Sequence, residues 1–80
     1  MEHRLKVWPQ YYEPLARGEK NFEVRRDDRG FQKGDILDLW CYDPESCKYR
    51  TSLKKRVSYI LTGGQFGIEP GYVVMGLEDI

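Results

Sequence analysis

The sequence predicts a mainly β fold, a small barrel of five or six strands with one or two short helices. Three observations lead there. Five segments carry the alternation of apolar and polar residues that a strand needs, and only one has helical spacing. That one segment is too short to cover a doubly wound sheet. Finally, 80 residues leave room for one core, so residues 1–80 are expected to form one domain. Closing a small, mainly antiparallel sheet into a barrel removes edges that would invite pairing with other chains.

Each element has its own signal. Residues 3 to 7, HRLKV, place Leu5 and Val7 on one face and read as a first strand. In WPQYYEPLARG, Pro9 suits a first helical turn, Tyr12, Leu15 and Ala16 recur at helical spacing, and Gly18 is a stop. Pro14 removes a backbone donor, which keeps this helix short or bends it. KNFEVRR follows as a strand, expected to turn Phe22 and Val24 to the core and Asn21, Glu23 and Arg25 away. DDRGFQKGD is a turn-rich loop. DILDLWCY is apolar on both faces and suits an interior strand. After a hairpin-like DPESCKYR, TSLKKRVSYIL reads as a long strand with one solvated, basic face. TGGQFGIEPG is a second glycine-rich loop, and YVVMGLEDI is a last strand.

Charge and composition narrow the function. Thirteen basic and thirteen acidic residues cancel, which argues against nucleic-acid binding by bulk electrostatics and leaves local patches. Six Tyr, three Phe and two Trp are many for a chain this size, so large rings are expected to fill much of the core, with some left over to stack on a ligand. No run approaches a membrane span, and MEHRLKV lacks the apolar centre of a signal peptide, so a cytoplasmic protein is expected. Cys41, Cys47 and His3 match no zinc spacing; two reduced thiols and no metal or cofactor are expected. His3 reads as a packed strand residue, and Trp8 and Trp40 as core.

The stretch GEKNFEVR holds Lys20, Glu23 and Arg25 between Phe22 and Val24. Lys20 leaves a helix–strand junction and need not obey strand alternation, so Lys20 and Glu23 can point into one cleft. Arg26 and Arg29 add positive charge at the same end. Gln65 and Phe66 stand on a loop that a barrel would bring close, and Tyr72 follows it. Lys20 and Arg25 suit phosphate, Arg25 also a base edge, and Phe66 or Tyr72 a stacked base. A carboxylate repels phosphate, so Glu23 either accepts from a base edge or orients Lys20 and Arg25. A second basic set, Lys48, Arg50, Lys54, Lys55 and Arg56, is either a nucleic-acid contact or a solvated strand face that discourages aggregation.

Gly18, Lys20, Glu23 and Arg25 form the pattern G-x-K-x-x-E-x-R, which resembles the signature of the ASCH domains of the PUA-like superfamily. His3, Leu5 and Lys6, the run FQKGD, GGQFG and GYVVM resemble one small bacterial and phage subfamily over nearly the whole chain. The resemblance implies a PUA-like barrel whose cleft, between the helix and the barrel, is lined by the signature Lys, Glu and Arg and takes RNA or its components. It also implies an alternative, an amidohydrolase on acetylated cytidine using Lys20 and Glu23. There Glu23 replaces the family's Thr, and Glu69 is the nearest candidate for a distal Glu. A protein-interaction module with an unspecified partner is a third expectation. No membrane partner is expected.

Overall fold

A computed structural model describes residues 1–80. One strand and one helix come first: β1 (Glu2–Val7) and α1 (Pro9–Arg17). Four strands follow: β2 (Phe22–Arg26), β3 (Ile36–Asp43), β4 (Lys48–Thr62) and β5 (Tyr72–Asp79). They make one sheet in the order β1-β3-β4-β5-β2, curled into a half-barrel. β1 runs parallel to β3, and the other three pairs are antiparallel. β3, between β1 and β4, is the interior strand its two-sided apolar pattern implies.

The expected mainly β, five-stranded curled fold is present, and the sheet stops short of full closure: β1 and β2 are free edges that do not pair with each other. Side chains span the gap instead. Arg25 Nη2 donates to the Lys6 carbonyl at 2.6 Å, and Arg29 Nη1 to the Arg4 carbonyl at 2.8 Å. These carbonyls lie two residues apart on β1, so they face the same side of the strand. Guanidinium groups thus satisfy acceptors that a sixth strand would otherwise take.

The core lies in the concavity. His3, Leu5 and Val7 of β1 alternate inward with Leu37, Leu39 and Cys41 of β3, and Val57, Val73, Met75 and Leu77 continue that face. α1 is too short to persist alone; burying Tyr12 and Leu15 in the curl holds it. Gly18, at φ +82, ends the helix in the left-handed region that glycine enters without a Cβ penalty. No helix is long and apolar enough to cross a membrane.

Two expectations are corrected. In β2 the inward residue is Glu23, 5% exposed, while Phe22 and Val24 are about half exposed at 46% and 51%. Its inner side borders the open seam beside polar Lys20 and Arg25, and a one-residue change of parity exchanges every side chain. In β4, Lys55 is buried between Leu53 and Val57 on the core-facing parity, its ammonium paired with Asp79. The basic strand is also largely neutralised from other strands. Arg50 meets Asp43 at 2.8 Å, Lys54 meets Glu2 at 3.2 Å and Arg56 meets Glu78 at 3.8 Å.

His3 is buried, as its strand position implies. Its Nε2 lies 2.8 Å from Asp35 Oδ2, with Phe31 edge-on to the ring at 4.8 Å. An ionised carboxylate only accepts, so Nε2 carries the proton. Asp35 also accepts from the Gln32 amide at 3.0 Å and the terminal ammonium at 3.3 Å. Burial pushes the Asp35 carboxyl up, but the bonds from His3, Gln32 and the ammonium outweigh it and hold the group below its ordinary 3.8. A depressed folded value means the contribution is complete above that pH and lost as pH falls through the lower folded value. Asp35→Asn should cost about 2 kcal/mol at neutral pH. The loss should shrink below about pH 4, as read from urea midpoints across a pH series.

Candidate functional site

The seam between the two free edges opens into a cleft of about 650 Å³, within the size range of small-molecule sites. Its walls come from the end of β1, the start of α1, β2 and the first residue of β5. The helix–strand junction aims Lys20. The amides of Glu19 and Lys20 both donate to the Pro14 carbonyl, at 3.0 and 3.1 Å, folding the chain back over the helix end. Asn21 then donates from its side chain to Gly18 O, and Leu77 N donates to Asn21 O, which starts β2 beside β5.

Three charged side chains meet on the floor. Lys20 Nζ donates to Glu23 Oε1 at 3.0 Å, and Arg25 Nε donates to Glu23 Oε2 at 2.8 Å. The Glu23 side chain is 6% exposed, whereas Lys20 and Arg25 keep 19% and 26%. Each carboxylate oxygen is thus engaged by a cation, and Glu23 sets both cations in place. Donors remain: Lys20 uses one of three N–H groups, and Arg25 uses its Nε and one on Nη2 of five.

Above the floor, Lys6 and Arg26 add charge, so four cations and one carboxylate line the cleft with three positive charges in excess. Trp8, Tyr11 and Tyr72 supply ring surface. Trp8 is corrected from core to cleft: it precedes Pro9 at the helix N-terminus and is 49% exposed. Tyr11 is 55% exposed at the margin of the buried Tyr12–Leu15 stripe, one turn before Leu15, with Lys20 Nζ 5.5 Å from its ring. Arg26 lies 5.8 Å from the Tyr72 ring.

Of the residues singled out in the sequence, Lys20, Glu23, Arg25, Arg26 and Tyr72 line this cleft. Arg29, Gln65 and Phe66 do not. Arg29 serves the seam from outside, near Asp35. Gln65 bonds Thr62 O and pairs with Ile68, within its own turn. Phe66 is 83% exposed at φ +53 on the tip of that turn. The GGQFG loop owes its glycines to its own fold instead: a Cβ on Gly63 would stand 2.0 Å from Glu69 O, and Gly64 and Gly67 turn at φ +88 and +76. Glu69 is exposed and lines no part of the cleft. Lys6, Trp8, Gln10 and Tyr11 were missed; spacing gave no signal, since Trp8 and Tyr11 lie four residues before the buried Tyr12 and Leu15 and share their side of the helix.

A family model described as a domain of unknown function (DUF3850) matches residues 2–77. The chain belongs to this family. No curated protein matches it.

Removing the Glu23 carboxylate leaves two cations facing each other without their counter-ion. Glu23→Ala should destabilise the fold by about 2–3 kcal/mol, below the ~3–5 of fully buried pairs because both cations keep some water. Glu23→Gln, which retains one acceptor, should cost less; urea unfolding measures both.

Proposed function

We propose that this member of the DUF3850 family binds RNA, or a nucleotide fragment of it, in the seam cleft. One observation carries the reading. The cleft combines four cations with three aromatic rings, and its only carboxylate is already spent on two of those cations. Phosphate calls for the unspent donors of Lys20 and Arg25, with Lys6 and Arg26 at the rim. A base calls for an aromatic face, which Trp8, Tyr11 and Tyr72 offer. Glu23 in this reading is a positioning residue: it holds Lys20 and Arg25 in fixed geometry, so less freedom is lost when phosphate arrives.

The same reading sets the chain beside the ASCH domains, through Gly18, Lys20, Glu23 and Arg25, and the curled sheet is compatible with a PUA-like fold. It places the protein in the cytoplasm, where its two free cysteines stay reduced. Binding is favoured over amidohydrolysis. Both Glu23 oxygens are already occupied by hydrogen bonds from Lys20 and Arg25, no hydroxyl occupies its position, and Glu69 stands away from the cleft. Incubated with N4-acetylcytidine, the protein should leave the acetyl group in place; chromatographic appearance of cytidine would reverse the preference.

RNA titrations at several salt concentrations test the cleft. Lys20→Ala and Arg25→Ala should each weaken binding about tenfold or more. Each should also lower the slope of log affinity against log salt by about 0.7, the value for one phosphate contact on a single strand. Unchanged affinity and slope in both variants, with folding intact by circular dichroism, would remove the cleft from consideration.

A further inference from the structure

The outer face of β1, β3 and β4 carries a second aromatic cluster. Tyr42 and Tyr49 are direct cross-strand partners, with ring centroids 5.0 Å apart at 60°. Tyr49 also meets Trp40 edge-on at 5.9 Å and 84°. Edge-to-face packing leaves the broad ring faces unstacked, and Tyr49 is 53% exposed. Two cations rest against this cluster: Arg4 lies 5.1 Å from the Trp40 ring and Lys6 4.3 Å from the Tyr42 ring.

Lys6 connects this face to the seam. It lines the cleft, its carbonyl receives Arg25, and its ammonium reaches Tyr42 over the outer side of the sheet. Arg4 is near Asp38 at 3.8 Å and Lys54 is paired with Glu2, whereas Lys6 pairs with no acid. Neighbouring strands stand about 5 Å apart. From the cleft over β1 to Tyr42 on β3 is therefore roughly 10 Å, a step that an adjoining nucleotide spans.

We infer that the ligand of the cleft is a single-stranded RNA of more than one nucleotide, which passes over Lys6 and stacks a second base on Tyr42 and Tyr49. The inference rests on the reading of the cleft as a nucleotide site and extends it to a track. Exposed cation–ring contacts are weak. A base can thus displace Lys6 from the ring at small cost, and the ammonium then meets the connecting phosphate. Because Arg4 and Lys54 already have acid neighbours, the added affinity comes mainly from stacking and adds little salt dependence.

Binding of a 5′-phosphorylated RNA tetranucleotide is compared with that of the four nucleoside 5′-monophosphates by calorimetry, for the natural chain, Tyr49→Ala and Tyr49→Phe. The tetranucleotide should bind at least about tenfold tighter than the best monophosphate, within the range of one stacked base. Tyr49→Ala should remove most of that excess and leave monophosphate binding unchanged, and Tyr49→Phe should restore it. Equal affinity for the two ligands, or an excess that survives Tyr49→Ala in a folded protein, overturns the track while the cleft stands. No binding of either ligand overturns both. If Tyr49→Ala does not fold, Tyr49→Leu, which keeps apolar bulk without a flat ring, serves instead, with the same loss of tetranucleotide excess expected.

Discussion

Arg25 is the side chain on which the site depends. Its guanidinium joins the two edges of an unfinished barrel: Nη2 takes a carbonyl of β1, and Nε takes the carboxylate of Glu23 on its own strand. A backbone ladder in that place would have closed the barrel and filled the cleft. An arginine bridge leaves an opening between strands yet satisfies the acceptors of β1. The planar fork suits both partners at once, and lysine, a point charge, could not reproduce the geometry. Glu23 follows from this arrangement, because a cation at a seam is steadier with its counter-charge fixed beneath it.

The fold was largely legible because it rests on local signals. Alternation marked the strands, and Pro9 and Gly18 bracketed the only helix. The seam was not. Its bonds join Arg25 to a carbonyl 19 residues away and Arg29 to one 25 residues away, and any residue supplies a carbonyl. No pattern in a single chain points to such a partner. Barrel closure was expected on general grounds, to remove edges, and the chain meets that need with two arginines.

The parity of β2 shows a different limit. Phe22 and Val24 alternate as core residues do, and a hydrophobic count alone turns them inward. Arg25 shares the face of Glu23 and bonds the Lys6 carbonyl across the seam, and Lys20 meets the same carboxylate, so that face turns to the concavity. Phe22 and Val24 are then left about half exposed opposite Gly76 and Val74 of β5, with Val24 at the border of the cleft. The convergence of Lys20 and Glu23 was legible from the break at Gly18, which frees Lys20 from strand alternation. Which side of the sheet they converge on was not.

Charge in this protein is informative only after folding. The basic run along β4 contains no acid in sequence, yet Asp43, Glu2, Asp79 and Glu78 reach it from other strands. The octet around Lys20 has its acid built in and still leaves an excess of positive charge, because Lys6 and Arg26 arrive without acids of their own. A chain with no net charge can hold an anion site when its carboxylates are distributed unevenly over the surface. Here they neutralise the long strand and spare the seam. The place where the sheet fails to close is therefore also the place where positive charge, ring surface and unspent donors coincide.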